Sequence, residues 1–339
     1  MATSAIVSIG AYVPSRVVTN DDLSKIMDTS DEWIRTRTGI HQRHMAVAEE
    51  TTASMSFNAA QAALETAAMD AGDLDWILLC TDTPEMWTPA TACFVQESLH
   101  AKKASAIDLT GGCAGFLQTL ELADAAAQLG KTVMVIGTEL LSRSMDWSDR
   151  STAVLFGDGA GAVIVTPDRG HGIQLTHSRT YSDGSQTEIL QKPYGGTRHA
   201  IPPEIVAHGG HHRIHMEGRK VFRHAVHRMS QAAREVLADM NMDVDTIDWV
   251  VPHQANQRIL TAVADALHIP MDKVFSHVEN YANTGSASII LALADMFQQD
   301  LILPQQRLIS IAFGDGFSWG SAIWTVQSLP PTRFIGRDQ

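Results

Sequence analysis

The chain has 339 residues and a formal net charge of −13 at pH 7, which argues against broad binding to nucleic acid. Hydrophobic residues make up 45% and charged residues 19%, enough for one large domain or two fused ones. No run of eighteen apolar residues occurs, so no membrane span is expected. Residues 4–10 form a strand pattern without the basic region of a signal peptide. Together with only three cysteines, this predicts a cytoplasmic protein without a disulfide framework.

The first part of the chain alternates helix and strand patterns. Residues 20–40 are polar, with a helix start at Asn20 or Asp21 and a loop that carries Trp33, Arg35 and Arg37. Residues 52–71 predict an alanine-rich helix that ends at Gly72. A buried strand over 75–80 and a proline-containing loop then lead into a helix over 91–99.

A strand, a glycine turn and a helix follow over residues 104–130. Residues 104–109 predict a short buried strand, and the apolar residues from Ala114 onward recur at helical spacing. Cys113 therefore lies at the helix N-terminus, where backbone N–H groups and the helix dipole favour a thiolate and a lowered pKa. The flanking glycines leave room for a carbonyl group to approach the sulfur. A reactive nucleophile and a buried structural cysteine both remain open at this point.

A glycine-rich segment follows the next strand, which is predicted over 132–137. Residues 154–165 predict a pair of strands around FGDGAGA. This segment resembles a dinucleotide-binding glycine loop, but such a loop opens a helix. A tight turn between two strands is therefore the better interpretation.

The second half of the chain repeats the first. IDWVV at 247–251 echoes LDWIL at 74–78, an offset of 249 − 76 = 173 residues. The same offset relates Cys113 to Ser286, and FGDG occurs at both Phe156 and Phe313. A repeat of about half the chain length predicts two duplicated α/β halves packed as one unit, residues 1–170 and 171–339.

Duplication brings equivalent loops of the two halves together near a pseudo-twofold axis. His253 follows the strand at 247–251, and Asn283 precedes a helix that starts near Gly285. Each has an ordinary explanation, a loop histidine or a helix N-cap. Because Cys113, His253 and Asn283 all lie at strand-end turns of an α/β fold, a shared active site is favoured.

Several segments together resemble one family, β-ketoacyl-[acyl-carrier-protein] synthase III of the thiolase superfamily. They are TGGCAGF from Thr110, VPHQAN from Val251, NTGSAS from Asn283 and FGDGFSWG from Phe313, supported by DEWIRTRTGI and FGDGAGA. The resemblance implies a thiolase-like five-layer αβαβα fold and a homodimer. It also implies that acyl-CoA acylates Cys113, after which a malonyl thioester loses CO₂ and its enolate attacks the acyl carbon.

The resemblance implies a role for each residue of the Cys–His–Asn set. Cysteine is a strong nucleophile, and neutral His253 and the Asn283 amide can donate hydrogen bonds to the enolate oxygen. A second oxyanion site would use the backbone N–H of Cys113 and one from residues 314–317. Neither task needs a metal or a redox cofactor, so coenzyme A enters only as a thioester substrate.

For coenzyme A, the family implies Trp33 against the adenine, Arg37 and Arg150 near the phosphates and Asn256 near the pantetheine. A half-buried anchor is the alternative interpretation of Trp33.

For acyl carrier protein, an acidic partner, the implied patch is Arg219, Arg223 and Arg258. The lysines common after HQAN are absent, with Asp265 and Ala266 in that region. Malonyl-ACP is the expected donor, and malonyl-CoA stays open as the alternative.

The family implies that the loop over 83–91, with Trp87 and Thr88, reaches across the dimer and closes the far end of the partner's acyl pocket. Thr88 aligns with a bulky Phe of short-chain members, which predicts a primer longer than acetyl.

Two features depart from the family pattern. Asp315 stands where the family usually has glycine. The histidines 208, 211, 212 and 215 resemble a zinc site, but a polar lid loop before a helix over 216–239 is favoured because no cysteine or paired acid accompanies them.

Two other functions are weighed against condensation. A related acyltransferase could pass its acyl group to an oxygen or nitrogen acceptor, but it would not need Asn283 to stabilise an enolate. A non-catalytic scaffold would require an unreactive Cys113.

Overall fold

The computed structural model describes residues 3–204 and 213–337. Its strands are β1 Ser4–Tyr12, β2 Val17–Thr19, β3 Gln42–His44, β4 Trp76–Cys80, β5 Ser105–Leu109, β6 Val133–Leu140, β7 Asp158–Pro167, β8 Ile173–Ser182, β9 Leu190–Gln191, β10 His215–Met216, β11 Trp249–Pro252, β12 Arg307–Gly314, β13 Ser318–Val326 and β14 Thr332–Ile335.

The α-helices fall between these strands. They are α1 Asn20–Ser24, α2 Asp31–Thr38, α3 Thr52–Ala67, α4 Thr91–Ser98, α5 Gly115–Gln128, α6 Arg150–Ala153, α7 Gly218–Asp239, α8 Gln257–Leu267, α9 Val278–Tyr281 and α10 Ser288–Gln298. Short 3-10 turns include Ala71–Asp73, Gly112–Ala114, Val244–Thr246 and Gly285–Ala287.

The two halves have the same strand order. The first half runs β5-β4-β6-β7-β1 and the second runs β11-β12-β13-β8. In both, a parallel pair (β4 with β6, β11 with β12) is followed by antiparallel neighbours. A parallel bridge between Val250 and Val274 takes the place that β5 has beside β4. The two sets meet where β1 pairs with β8 through Ala5 and Ile6.

The helices form three layers around the two sets of strands. Helices α5 and α10 pack with strands of both halves in one central core, which includes Phe116, Leu120 and Ile290. Helices α3 and α4 cover the outer face of the first half, and α7 and α8 cover that of the second. This is the five-layer αβαβα arrangement predicted from the sequence. The division between residues 170 and 171 stays a prediction.

The repeat extends to individual backbone conformations. Gly112 and Gly285, 173 residues apart, both adopt left-handed φ angles, +55° and +56°. Ala68 and Asn241, at the same spacing, both have φ of 50°. Each glycine opens the 3-10 turn that precedes a central helix, so Cys113 and Ser286 occupy equivalent positions.

The predicted helix over 52–71 ends earlier than expected. Helix α3 stops at Ala67, and the left-handed residue after it is Ala68 rather than a glycine. Asp70 then accepts the N–H of Gly72 and starts the 3-10 turn Ala71–Asp73. The uniform alanine composition does not mark this end, because the residue that adopts the left-handed conformation and caps the helix is itself an alanine.

The predicted pair of strands over 154–165 is wrong. Residues 154–157 connect α6 to a single strand, β7. Gly159 and Gly161 allow close packing on α10, since a Cβ at Gly161 would lie 2.5 Å from Cβ of Ile290. The glycines therefore serve contact between strand and helix, not a turn between strands.

Two further expectations are corrected. Trp33, Arg35 and Arg37 lie on helix α2, which is capped by the Ser30 hydroxyl, rather than in a loop. The strand predicted as buried over 104–109 is the edge strand β5, whose Ile107 is 44% exposed. Its outer face has no covering element among residues 3–204 and 213–337.

Two predictions concern metals and membranes. His208, His211 and His212 lie outside the described residues, and His215 pairs with Gln191 in the β9–β10 ladder. In the part of the chain that the structure describes, no helix is long and apolar enough to cross a membrane. The helix expected over 216–239 is α7, which begins at Gly218.

Candidate active site

The three residues predicted to act together share one cavity. Cys113, His253 and Asn283 all line a cavity of about 390 Å³. They come from the turn before α5, the end of β11 and the segment after α9. The duplicated fold therefore brings together residues that are 140 and 30 positions apart (253 − 113 and 283 − 253).

Cys113 lies at the predicted junction and is half-buried. It is the middle residue of the 3-10 turn Gly112–Ala114, directly before α5. Gly314 packs closely against this turn, since a Cβ there would lie 2.5 Å from the backbone N of Cys113. Only a glycine at position 314 allows this approach.

The predicted lowering of the Cys113 pKa is wrong. Burial, and then the carboxyl groups of Asp315, Asp82 and Glu139, raise the pKa of the Cys113 thiol well above its ordinary value. The helix N-terminus was identified correctly from the sequence, but the acidic side chains around it were not. At neutral pH the resting site holds a thiol.

His253 is a buried, neutral ring. Its backbone N–H donates to Ile311 O at 2.8 Å, and its Nδ1 lies 2.7 Å from the Ser288 hydroxyl. Burial lowers the pKa of His253 to about 3. With the Ser288 hydroxyl donating to Nδ1, the proton is on Nε2, which can then donate.

Asn283 is held by its backbone and by its own side chain. Its N–H donates to Leu155 O at 2.9 Å, and its carbonyl accepts the N–H of Gly157 at 3.0 Å. Oδ1 accepts the N–H of Gly285 at 2.9 Å, so Nδ2 is the end that can donate into the cavity. Thr284, not Asn283, precedes the 3-10 turn as its cap residue.

The residues predicted for coenzyme A lie at one side of this cavity. The Arg37 and Arg150 guanidinium groups lie 4.6 and 4.9 Å from the centre of the Trp33 ring. Arg37 lines the cavity, whereas Trp33 and Arg150 do not. Arg150 also bonds the carbonyl of Asp28 and, at 3.2 Å, its carboxylate.

Asn256 lines the cavity and starts helix α8. Its Oδ1 accepts the N–H of Ile259 at 3.0 Å, which makes it the helix N-cap. Its Nδ2 is the end that remains for a ligand.

The three arginines predicted for acyl carrier protein are all exposed. Arg219 and Arg258 line the cavity that contains Cys113, whereas Arg223 does not. The Arg258 guanidinium lies 5.9 Å from the centre of the Phe222 ring, so helices α7 and α8 present these charges together. The structure thus places a basic rim at this cavity.

A second cavity, of about 610 Å³, adjoins the first. The two share Asp82, Gln191 and Lys192 as lining residues. Trp87, which is 72% exposed, lines the second cavity, whereas Thr88 does not. The role of Trp87 and Thr88 in an acyl pocket stays a prediction.

Sequence reasoning missed three charged residues of the site: Asp82, Glu139 and Lys192. They line the cavity together with Asp315. Glu139 lies inside strand β6, and Asp82 lies two residues after β4. An acidic residue in or directly after an apolar strand was the sequence signal that could have identified them. No group of three or more potential ligand side chains could hold a metal ion within residues 3–204 and 213–337.

A duplicated five-layer α/β fold with a cysteine at a central helix N-terminus, a neutral histidine and an amide in one cavity defines a thiolase-like condensing enzyme. Two family models match the chain: 3-oxoacyl-[acyl-carrier-protein (ACP)] synthase III over residues 107–184, and its C-terminal part over residues 237–326. Together they cover both repeats of the active-site segment.

Individual relatives are similar to this chain over nearly its whole length. A β-ketoacyl-[acyl-carrier-protein] synthase III of Paramagnetospirillum magneticum is 44% identical over 328 residues, covering 94% of this chain and 98% of its own. That of Xanthomonas campestris pv. campestris is 42% identical over 326 residues, covering 94% and 97%. The crystal structure of the Aquifex aeolicus 3-oxoacyl-[acyl-carrier-protein] synthase III has a TM-score of 0.87 at 41% identity, covering 95% and 99%. The chain belongs to the 3-oxoacyl-[acyl-carrier-protein] synthase III family.

Proposed function

We propose that acyl-CoA acylates Cys113 and that the acyl group then condenses with a decarboxylating malonyl thioester to give a 3-oxoacyl product. The reaction would start fatty-acid synthesis or prime a secondary-metabolite pathway. The observation that carries this proposal is the fixed Asn283 amide, which shares one cavity with Cys113 and with neutral His253.

Each stage has a matching group in the cavity. In the first, the Cys113 sulfur attacks the acyl-CoA carbonyl carbon and the coenzyme A sulfur leaves. In the second, His253 Nε2–H and Asn283 Nδ2–H stabilise the charge on the malonyl thioester oxygen as CO₂ departs. The enolate carbon then attacks the Cys113 thioester, and the sulfur leaves as the new carbon–carbon bond forms.

Positively charged side chains lie where the substrates would enter the cavity. Arg37, Arg150 and the Trp33 ring suit the phosphates and adenine of coenzyme A, and Asn256 suits the pantetheine amides. Arg219, Arg223 and Arg258 form an exposed basic rim that suits acidic acyl carrier protein. Malonyl-ACP is the proposed donor, and the chemistry needs no cofactor.

A homodimer is proposed through the open edge of β5. No strand among residues 3–204 and 213–337 pairs with the outer edge of β5. Ile107 on this strand is 44% exposed, and Met86, in the loop before α4, is 46% exposed. Light scattering should therefore give a solution mass of two chains. Three free cysteines suit the cytoplasm as the compartment.

Transfer of the acyl group to an oxygen or nitrogen acceptor is the alternative. It would need Cys113 but would leave the oriented Asn283 amide without a task. Condensation is therefore favoured.

Intact-protein mass spectrometry separates the two stages. The wild type should gain one acyl mass from acyl-CoA, and Cys113→Ala should gain none. Asn283→Ala should still accept the acyl group but lose malonyl decarboxylation, by about 100-fold or more for a lost oxyanion donor. An adduct that persists in Cys113→Ala, or full condensation by Asn283→Ala, would contradict the proposal.

A further inference from the structure

Strand β14 and the residues directly after it, 332–337, pack against the part of the fold that carries Asn283. The strand pairs in parallel with β1, which fixes the direction in which the chain continues. Phe334 on β14 is buried, and its ring stacks on that of Tyr281, with 5.5 Å between the ring centres. Tyr281 is the last residue of α9 and lies two positions before Asn283. We call residues 332–337 the β14 segment.

Arg337 gives the β14 segment a second contact with the interior. Its Nε donates to Asp295 Oδ1 at 2.7 Å, and Asp295 is a buried residue of α10. The other carboxylate oxygen, Oδ2, accepts a hydrogen bond from His277 Nδ1 at 3.2 Å. The His277 ring is also buried, and its Nε2 has no hydrogen-bond partner among residues 3–204 and 213–337. The carboxylate that orients this ring is therefore itself held by Arg337.

His277 connects this contact to the loop of His253. The backbone N–H of His277 donates to Gln254 Oε1 at 3.0 Å. Gln254 is fully buried, and its Nε2 donates to the carbonyls of Pro252 at 2.9 Å and Phe275 at 3.2 Å. Because Gln254 directly follows His253 in the chain, these bonds fix the loop after β11 to the segment that begins at His277.

The backbone directly before Asn283 is strained. Ala282 has φ of 57° and ψ of −154°, a combination that glycine adopts freely and other residues rarely adopt. Such a conformation persists only where the surrounding structure holds it. On the N-terminal side it is held through the Tyr281 ring, which lies 4.7 Å from the centre of the His277 ring and stacks on Phe334. The contacts of the β14 segment thus reach both neighbours of the strained residue.

We infer that the β14 segment is a clamp that holds His253 and Asn283 in the geometry that decarboxylation requires. Arg337 is a positioning residue in this clamp. It lines neither cavity, and it acts through the buried carboxylate on α10. Cys113 takes part in none of these contacts, so its acylation should not depend on them. The inference rests on the proposed roles of the two hydrogen-bond donors in decarboxylation.

The test measures the two stages separately in Arg337→Ala. Acylation of Cys113 by acyl-CoA, followed by rapid quenching and mass spectrometry, should keep its wild-type rate. The kcat for CO₂ release from malonyl-CoA and from malonyl-ACP should fall by about 10- to 100-fold, the cost of displacing a reacting group by up to about 1 Å. KM should change little, because Arg337 lines neither cavity. Arg337→Lys keeps a charged donor and should restore part of the rate.

Arg333→Ala is the matched control. Arg333 lies on the same segment, and its Nη1 bonds Glu65 Oε2 at 2.6 Å on α3, away from the path to His253 and Asn283. This variant loses an arginine–carboxylate pair of the same kind, yet both stages should keep their wild-type rates. Unchanged acylation in Arg333→Ala and Arg337→Ala also shows that both variants are folded.

A second change tests the strained backbone. Glycine adopts the conformation of residue 282 without strain, so it depends less on the clamp. Ala282→Gly combined with Arg337→Ala should therefore recover decarboxylation relative to Arg337→Ala alone. A general loss of stability would not be corrected by a glycine at this position, because glycine widens the freedom of the unfolded chain.

The possible failures are distinguishable. If the wild type releases no CO₂ from either malonyl thioester, the proposed function itself fails. If the wild type is active and Arg337→Ala loses both stages equally, or neither, the inference is overturned while the function stands. A loss of decarboxylation that Ala282→Gly does not reverse would likewise overturn the clamp.

Discussion

At the scale of single residues, the contact between His253 and Ser288 decides what the histidine can do. The ring is 2% exposed, and the Ser288 hydroxyl lies 2.7 Å from its Nδ1. A neutral ring with a proton on Nε2 is a hydrogen-bond donor over the whole physiological pH range. A charged ring at this depth would need a partner carboxylate, and none contacts it in the described residues.

The buried neutral ring makes stability depend on pH. In the unfolded chain His253 binds a proton below about pH 6.5, whereas in the folded protein it stays neutral to a pH of about 3. The free energy of unfolding should therefore fall on acidification through this group, by about 2 kcal/mol between pH 6.5 and 5. His253→Gln removes this dependence.

Urea denaturation at pH 7 and at pH 5 measures the effect. The drop in unfolding free energy between the two pH values should be smaller in His253→Gln than in the wild type. His171→Gln, at an exposed turn, should keep the full drop. An equal drop in all three proteins would show that the ring is protonated in the folded state.

At the scale of elements, the packing of β7 on α10 determines what its glycines mean. Residues Ser288 to Phe297 of α10 are all buried, so the strands around it must approach closely. The segment FGDGAGA favours a tight turn between two strands, because glycine is common in turns. The sequence pattern does not show that a helix from the other half of the chain lies against these glycines.

Gly161→Ala tests this packing. Its Cβ would lie 2.5 Å from Cβ and 2.6 Å from Cγ2 of Ile290, inside a fully buried helix. The variant should lose about 1–3 kcal/mol of unfolding free energy through overpacking, measured by urea denaturation. Gly184→Ala is the matched control, because no atom lies within 4 Å of its Cβ, and it should stay within about 0.5 kcal/mol. Equal stability of the two variants would contradict the interpretation.

Element types were easier to predict than element ends. The strand at 75–80 and the helix at 91–99 were predicted within one residue of β4 and α4. Helix α3 ended four residues early because Ala68 adopts a left-handed conformation without the usual glycine. Trp33 was assigned to a loop because the polar helix α2 carries little apolar periodicity.

At the scale of the whole molecule, the internal repeat is the sequence feature from which most of the fold and of the site could be predicted. An offset of 173 residues relates Cys113 to Ser286 and β4 to β11, and the same offset relates Gly112 to Gly285 in the structure. Duplication predicts where equivalent turns meet, so the three active-site residues could be found. The carboxyl cluster could not, because Asp82 and Asp315 have no partner in the repeat pattern.

The two adjoining cavities bear on the choice of primer. The cavity that contains Cys113 adjoins the second cavity, which has a volume of about 610 Å³, at Asp82, Gln191 and Lys192. The family resemblance implies that Thr88 stands where short-chain members have Phe, on a loop that closes the partner's acyl pocket. Trp87 is the large side chain that lines the space.

We therefore predict that the wild type is acylated faster by hexanoyl-CoA and octanoyl-CoA than by acetyl-CoA. Each buried CH₂ contributes roughly 0.8 kcal/mol, so a few of them give a preference of about 100-fold. The ratio of octanoyl to acetyl transfer onto Cys113, measured by intact mass, needs no correction for expression or folding of a variant. Thr88→Phe should lower this ratio, and Trp87→Ala should raise it. A wild type that prefers acetyl-CoA, with a ratio that rises only in Trp87→Ala, would show that the tryptophan closes the pocket and that Thr88 does not open it.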